Sequence, residues 1–323
     1  MSSLQGKGVL VTGAAGFVGA NLARELDRRG ALVHALVRQE TDCWRLAGIS
    51  ERLKLYKVDL TDSVELQTIV SLIRPEIIFH AAVQRAESSA QARRETLEAN
   101  IIGTFNLLEA TAAHDYERFV HLGSSMEYGH HESSLKETSC LEPVLFFSAT
   151  KAASTLLCQQ AARAGRPIVT LRLFSVYGYW ESPQRLVPTA IMAALYNREL
   201  SLTARGYRRD FIFIEDVLQA CLLAAETQGA VSQIINIGSG KQWTNEELIR
   251  LVESVTGRQI KLCEDSYPAR ASDTTHWVAD IDKAHEVLGW EPAHSLEAGL
   301  KKTCDWLKGQ QEFYKHAAAS LKK

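Results

Sequence analysis

One segment near the start of the chain, residues 9–30, constrains the fold more than any other. Residues 9–11 form a short apolar run typical of a buried parallel strand, and an amphipathic helical pattern follows the turn after it. In that turn we expect Gly13 to permit a tight reversal, Gly16 to let the backbone approach a pyrophosphate and Gly19 to let the helix pack closely on the strand. The sequence therefore predicts a dinucleotide site in which the positive end of the helix faces the phosphates. The residues expected to contact the cofactor here are Gly13, Ala15, Gly16, Phe17, Val18 and Gly19.

The composition argues against several classes of partner. The 323 residues include 36 Lys and Arg and 38 Asp and Glu, which gives a net charge of −2 without a basic tract. We therefore expect no nucleic acid partner. No apolar run reaches the length of a membrane span, and the first strand lies too close to the first residue for a signal peptide, so we expect a cytoplasmic protein without membrane contact. The six cysteines are scattered and His130 and His131 are adjacent, so we expect reduced thiols and no metal site.

Apolar strand patterns alternate with helical patterns along residues 1–173, while the pattern loosens beyond them. This alternation predicts an α/β fold, a Rossmann-type doubly wound parallel sheet with a smaller, interleaved C-terminal substrate lobe. We expect residues 1–173 to form the NAD(P)-binding domain, with a contribution from about 207–228, and residues 174–323 to form the substrate lobe that closes a cleft. The expected strands after the first are Leu32–Val37, Leu53–Val58, Ile77–His80, Phe119–Leu122, Ile168–Leu173 and Phe211–Phe213. The expected later helices are Val64–Leu72, Arg94–Ala113, Thr150–Ala164, Val187–Tyr196, Val217–Glu226, Asn245–Val255 and Ile281–Leu288.

Motifs spread over nearly the whole chain resemble those of one enzyme family. They are Thr12-Gly13-x-x-Gly16-x-x-Gly19, Asp59-Leu60, His80-Ala81-Ala82, Asn100 with Gly103-Thr104, Gly123-Ser124-Ser125-Met126-Glu127-Tyr128-Gly129, Lys151, Leu171 to Gly178, Arg209-Asp210-Phe211, Glu215-Asp216-Val217 and Leu288-Gly289-Trp290. In this set the chain resembles the extended short-chain dehydrogenases/reductases that act on nucleotide sugars as epimerases, dehydratases and reductases.

The resemblance implies roles for individual residues. Asp59 and Leu60 would lie along the adenine of the cofactor. Ser124 would hydrogen-bond the reacting sugar oxygen, and Lys151 would hold the nicotinamide ribose. The remaining cofactor-binding residues it implies are Ala81, Ala82 and Asn100, and Ser125 joins the catalytic group. The implied substrate-binding residues are Glu127, Ser175, Tyr177, Arg185, Arg209 and Arg270, of which Arg209 and Arg270 would clamp the diphosphate, although Arg208 could replace Arg209 in that role.

The end of the second predicted strand bears on the choice of cofactor. An acidic residue about 20 positions after the glycines normally binds the ribose diol of NAD, but Arg38 takes that place and Glu40 is the first acid after it. An arginine can pair with the 2′-phosphate of NADP, so we favour NADP over NAD. Alternatively, Arg38 stacks on adenine and either cofactor binds.

One active-site position departs from the family pattern. The family uses Tyr-x-x-x-Lys as its acid–base pair, and here Phe147 fills the tyrosine position four residues before Lys151. Phenylalanine cannot move a proton, and a positioned general acid is worth about 10²–10⁴ in rate. The change could be engineered, could be natural with the proton coming from Ser124, Tyr128, Tyr177 or water, or could mark a protein that only binds ligands.

A second departure concerns the reaction. Family dehydratases carry an Asp-Glu pair directly after the catalytic serine or threonine, whereas Ser125 and Met126 stand there in this chain. An extended Glu127 would face the other way, so dehydration ranks below the alternatives. We therefore expect NADP-dependent reduction of a keto group on a nucleotide-activated 4-keto-6-deoxy sugar, with a nucleotide-sugar 4-epimerase or a silent nucleotide- or cofactor-binding protein as alternatives. The resemblance also implies a homodimer, paired through the predicted helices Arg94–Ala113 and Thr150–Ala164.

Overall fold

Seven parallel strands form the central sheet of the computed structural model, which describes residues 4–86, 88–202, 206–263 and 271–310. The strands of the described residues are β1 (Gly8–Thr12), β2 (Leu32–Val37), β3 (Lys54–Lys57), β4 (Ile77–His80), β5 (Arg118–Ser124), β6 (Ile168–Leu173), β7 (Ser175–Tyr177), β8 (Glu199–Leu200), β9 (Arg208–Arg209), β10 (Phe211–Phe213), β11 (Ile234–Ile237), β12 (Trp243–Thr244) and β13 (Lys261–Leu262). The order in the central sheet is β11-β6-β5-β4-β1-β2-β3, so the direction of winding reverses beside β1. Such a reversal opens a crevice at the carboxyl ends of the strands. The predicted doubly wound parallel sheet is therefore confirmed.

Helices cover both faces of this sheet because the strands are apolar on both sides. Val9 and Val11 of β1 enter the core beneath one helical layer, whereas Leu10 enters the core beneath the other. The helices of the described residues are α1 (Phe17–Arg28), α2 (Ser63–Ile73), α3 (Ala90–Leu97), α4 (Gly103–Ala112), α5 (Phe146–Arg163), α6 (Leu186–Tyr196), α7 (Ile214–Glu226), α8 (Asn245–Thr256), α9 (Asp282–Leu288) and α10 (Leu296–Gly309). Helices α1, α7 and α9 form the first layer, and α2, α4 and α5 form the second.

A second core belongs to the smaller lobe. Helices α6, α8 and α10 surround it, and β7 and β10 pair in parallel beside it. Two further two-stranded ladders, β12 with β9 and β13 with β8, complete this lobe in the described residues. The chain enters this lobe after β6 and returns to the large sheet at β11, which pairs with β6. The predicted interleaving of the two lobes is confirmed.

The structure corrects several predicted elements. The helix expected at Arg94–Ala113 begins at Ala90 and is interrupted by a π-helical turn, Glu98–Ile102, where the carbonyl of Asn100 accepts bonds from the hydroxyls of Thr104 and Ser154. Helix α5 begins four residues before the predicted start, and β11 and α10 have no predicted counterpart. No helix in the described ranges is long and apolar enough to cross a membrane.

Candidate active site at the carboxyl edge of the sheet

The glycine turn between β1 and α1 has no room for a side chain at Gly13 or Gly19. Gly13 has a φ of +64°, and a Cβ there would lie 2.6 Å from the Cα of Ala82. A Cβ on Gly19 would lie 2.2 Å from the carbonyl oxygen of Gly13. Helix α1 begins after Gly16 without a side-chain cap and without an acidic residue in its first turn. Its first N–H groups and its positive dipole end are therefore available to an anion.

A cavity of about 360 Å³ extends from this turn along the ends of β2, β3 and β4. Among its lining residues are eight of the predicted cofactor-binding residues: Gly13, Ala15, Gly16, Arg38, Asp59, Leu60, Ala81 and Ala82. The lining also includes four residues that sequence reasoning missed, Thr41, Asp42, Trp44 and Arg45. These four lie in the loop after β2, where no periodic pattern marks them. Three other predicted residues lie in the first turn of α1 and are not among the residues that line the cavity: Phe17, Val18 and Gly19.

A strap of arginine and tryptophan side chains closes this cavity toward the smaller lobe. The Arg45 guanidinium donates to the carbonyl of Trp180 at 2.7 Å and to that of Ala15 at 3.4 Å, and it covers the Trp44 ring at 4.0 Å. The Trp180 ring stacks under Arg24 at 4.2 Å. Trp180 has a φ of +63°, which is costly for a bulky residue, so these contacts must hold it in place. The strap links the cavity wall at Ala15 and Arg45 to the segment that enters the smaller lobe.

A buried chain of hydrogen bonds fixes the loop after β4. The Thr104 hydroxyl donates to the carbonyl of Asn100 at 2.6 Å, so it accepts from the Nε2 of His80 at 2.9 Å. The His80 Nδ1 therefore accepts from the Thr12 hydroxyl at 2.7 Å, and that hydroxyl accepts from the N–H of Ala82 at 3.3 Å. Burial lowers the pKa of His80 to about 3 and keeps the ring neutral, as this chain of bonds requires. His80 thereby positions the backbone of Ala82 at the cavity.

Ser124 and Lys151 come together at the end of β5. Ser124 ends the strand, and its Oγ accepts from the N–H of Met126 at 3.2 Å. Lys151 lies in the second turn of α5, and its Nζ donates to the carbonyl of Leu122 at 2.7 Å and lies 3.4 Å from the Nε2 of His121. Burial lowers the pKa of Lys151. These two side chains lie at the sheet edge that the family motif implies.

Phe147 lies in the first turn of α5, one turn before Lys151, and only 7% of it is exposed. Its ring carries no group that can exchange a proton. The Arg85 guanidinium lies 5.1 Å from the centroid of this ring. Sequence reasoning missed Arg85 because only the fold brings the loop after β4 to the start of α5.

Four predicted site residues are buried beneath the cleft surface. Glu127, which we predict to contact substrate, is fully buried, and its Oε2 pairs with the Nε of Arg172 at 2.9 Å. Tyr177, which has the same predicted role, is 1% exposed, and its hydroxyl donates to the carbonyl of Leu296. Asn100 does not line the cavity and instead binds the backbone of Gln84, and Ser125 is 3% exposed.

The remaining predicted substrate-binding residues lie at the junction with the smaller lobe. Ser175 begins β7, and the Arg185 side chain is half-exposed with its Nε 3.7 Å from Oε1 of Glu181. Burial raises the pKa of Glu181 to about 8. Arg209 pairs with Asp273 at 2.6 Å, so a phosphate would have to compete with that carboxylate. The predicted partner Arg270 lies outside the described residues.

Comparison with known proteins identifies the family. Residues 9–238 match the model of the NAD dependent epimerase/dehydratase family. The dTDP-glucose 4,6-dehydratase of Neisseria meningitidis serogroup B is 31% identical over 92% of this chain and 92% of that protein. The UDP-glucose 4-epimerase of Thermotoga maritima, solved with UDP-glucose, has a TM-score of 0.85 and 28% identity over 94% of this chain and 99% of that one.

A third similar protein is the UDP-glucuronic acid 4-epimerase of Bacillus cereus, solved with UDP-glucuronic acid and NAD. It has a TM-score of 0.83 and 25% identity over 93% of this chain and 99% of that one. A tyrosine-to-phenylalanine mutant of the same enzyme has been solved with UDP-4-deoxy-4-fluoro-glucuronic acid and NAD. The match over most of the chain, in both sequence and fold, establishes that this protein belongs to the NAD-dependent epimerase/dehydratase family of nucleotide-sugar enzymes.

Proposed function

We propose that this chain is an NAD(P)-dependent oxidoreductase that reduces a keto group of a nucleotide-activated 4-keto-6-deoxy sugar. The observation that carries this choice is the position of Glu127. Its carboxylate is fully buried and held by Arg172, the Ser124 N–H and the Thr155 hydroxyl, so it cannot act as the base that a dehydratase needs. Dehydration is therefore disfavoured, although several similar proteins carry that name.

The residues around the glycine turn suit a dinucleotide. The uncapped start of α1 would accept the pyrophosphate. A Cβ on Gly13 would collide with the backbone of Ala82, and a Cβ on Gly19 would collide with the carbonyl of Gly13. Asp59 and Leu60, which line the cavity, would flank the adenine side. Lys151, which is buried at the end of β5, would hold the ribose next to the nicotinamide. When bound, the cofactor would supply the hydride.

Arg38 favours NADP within this proposal. Its side chain is exposed at the rim of the cavity, and no hydrogen bond or ion pair of its guanidinium is found in the described part of the chain. A guanidinium in this position suits a 2′-phosphate. Replacing Arg38 by alanine should weaken NADPH binding by about tenfold or more and leave NADH binding nearly unchanged, as measured by fluorescence titration.

The sugar end of the site would work without a tyrosine. Ser124 would hydrogen-bond the carbonyl oxygen and stabilise charge on it, a contribution that survives loss of a general acid. The proton would come from solvent, because Phe147 has none to give. The Bacillus cereus mutant supports the idea that this fold still holds both ligands after a tyrosine-to-phenylalanine change.

A nucleotide-sugar 4-epimerase is the second candidate. Two similar structures carry that name, and the strap from Arg45 to Ala15 and Trp180 would slow cofactor exchange. Slow exchange suits an epimerase, which regenerates its cofactor in each cycle, better than a reductase, which must replace it. A silent binding protein is the third candidate, and the missing hydroxyl at Phe147 favours it.

We also propose a cytoplasmic homodimer. Exposed apolar side chains along the π-helical turn, α4 and α5 provide a face for a second copy: Ile102, Phe105 and Leu156 are 41%, 48% and 55% exposed. All six cysteines lie in the described residues as free thiols, which suits a reducing compartment.

The decisive experiment measures NADPH oxidation with a nucleotide-linked 4-keto-6-deoxyhexose for the wild type and for Phe147→Tyr. A restored general acid should raise the rate by about a hundredfold or more. Phe146→Tyr is the matched control, because it adds a hydroxyl to the same helical turn outside the tyrosine position. Interconversion of nucleotide sugars without net NADPH use would favour the epimerase. Thermal stabilisation by ligands without turnover would favour the binding protein.

A further inference from the structure

Arg85 brings a permanent cation over the ring of Phe147. Its guanidinium carbon lies 5.1 Å from the centroid of the Phe147 ring, and the Arg85 residue itself is exposed. A guanidinium keeps its proton at any physiological pH and carries five N–H donors. The site therefore presents positive charge beside the ring that carries a hydroxyl in the family, although this charge cannot transfer a proton.

Two buried side chains anchor the backbone on either side of Arg85. The Oδ1 of Asn100 accepts from the N–H of Gln84 at 2.8 Å, and its Nδ2 donates to the Gln84 carbonyl at 2.9 Å. The Thr96 hydroxyl accepts from the N–H of Ala86 at 3.1 Å and donates to the Ala86 carbonyl at 2.7 Å. Because both neighbours are held at N–H and carbonyl, the backbone of Arg85 has little freedom to move.

Asn100 also connects this loop to the start of α5. Its Nδ2 donates to the Thr150 hydroxyl at 2.9 Å, and that hydroxyl donates to the carbonyl of Phe147 at 2.8 Å. One buried amide thus sets the position of the Arg85 loop relative to Phe147. The backbone segments that carry Arg85 and Phe147 are therefore held next to each other by buried hydrogen bonds.

The pair lies at the substrate end of the cleft. Gln84, next to Arg85, lines the cofactor cavity. Lys151, one turn after Phe147, reaches the last residues of β5, where Ser124 ends the strand. Ligands of open parallel sheets bind outside the carboxyl ends of the strands, so a sugar held at Ser124 would also lie close to this pair.

We propose that Arg85 binds an anionic oxygen of the sugar beside the position where the family uses its tyrosine hydroxyl. This inference rests on the proposed function, because it requires a nucleotide sugar in the cleft. The alkoxide formed during reduction of the proposed 6-deoxy substrate has the required chemistry, and so does the carboxylate of a uronic acid sugar, which a 6-deoxy sugar does not carry. In reduction, the keto carbon accepts hydride from the reduced nicotinamide cofactor, the C=O electron pair moves to oxygen beside Arg85, and water then supplies the proton and leaves hydroxide.

The test compares Arg85→Gln with Arg163→Gln, which removes the same charge from the exposed far end of α5. Calorimetry with NAD present measures the affinities of UDP-glucuronate and UDP-glucose, which differ only in the carboxylate. If the carboxylate is the ligand, Arg85→Gln weakens UDP-glucuronate binding by about tenfold or more and leaves UDP-glucose binding unchanged. If the alkoxide is the ligand, both affinities persist, while kcat of keto-sugar reduction falls by about tenfold or more at constant KM.

Other outcomes overturn the inference. If both sugars bind and Arg85→Gln behaves like Arg163→Gln in affinity and in kcat, Arg85 has no role at the sugar, although the proposed function survives. If Arg85→Gln weakens both sugars equally, its effect is general and the inference fails. If the wild type binds neither sugar nor cofactor, the proposed function fails and the inference fails with it.

Discussion

Replacing Arg172 by methionine would measure the stabilisation provided by the buried ion pair beneath Ser124. The side chains of Arg172 and Glu127 are 3% and 0% exposed, and their Nε and Oε2 atoms lie 2.9 Å apart. Glu127 also accepts hydrogen bonds from the Ser124 N–H at 2.8 Å and from the Thr155 hydroxyl at 3.0 Å. Methionine fills similar space, but it leaves the buried carboxylate with two hydrogen-bond donors and without its paired guanidinium.

We expect the free energy of unfolding to fall by about 3–5 kcal/mol, the cost of removing one partner from a buried pair. This corresponds to about 10²–10⁴ in the unfolding equilibrium constant. Urea unfolding followed by circular dichroism should show a lower midpoint with an unchanged slope. Arg94→Met is the matched control, because the Arg94–Glu98 pair is also 2.9 Å long but 74% and 42% exposed, and its loss should cost less than about 1 kcal/mol.

A double variant isolates the buried charge as the cause. Arg172→Met combined with Glu127→Gln removes both charges and retains an acceptor for the Ser124 N–H. It should be more stable than Arg172→Met alone, because the carboxylate that lost its guanidinium partner is then absent. A loss no larger than that of the surface control, or a double variant less stable than Arg172→Met, would refute the reasoning.

Three further predictions concern the cofactor loop and the exposed face. Burial lowers the pKa of His80 to about 3, so below pH 6.5 the unfolded chain gains a proton that the folded chain excludes. His80 should therefore account for about 2 kcal/mol of the stability lost between pH 7 and pH 5 in urea unfolding, and His80→Gln should reduce the loss by about that amount, while buried His121 keeps its own contribution; an equally steep dependence would contradict the assignment. Gly19→Ala should weaken cofactor binding by about tenfold or more in a fluorescence titration, because its Cβ would lie 2.2 Å from a carbonyl oxygen. Gly229→Ala, which meets nothing within 4 Å, is the control, and equal affinities would count against the steric argument. Phe105→Glu should convert a dimer to monomers in sedimentation, whereas the control Val64→Glu, at an even more exposed apolar residue on α2, should not; an intact Phe105→Glu dimer would exclude this face.

The predictable part of the fold is the part governed by local periodicity. The alternation of strand and helix patterns gave the class of sheet, and the predicted bounds of Ile168–Leu173 and Phe211–Phe213 match the structure. Strand β11 was missed because a strand of four residues, three of them apolar, carries too little pattern to separate it from its surroundings. Helix α5 was predicted to start too late because its N-cap, Leu145, is not a capping residue and gives no start signal.

In the site, the chain by itself determined the glycine turn, the spacing from Phe147 to Lys151 and the arginine at the end of β2. These depend on backbone conformation and on neighbours in sequence. Only the tertiary structure decided that Glu127 is buried against Arg172 and that Arg85 lies over Phe147. The partner of a charged side chain is set by elements that meet after folding, and no local pattern records which residues those will be.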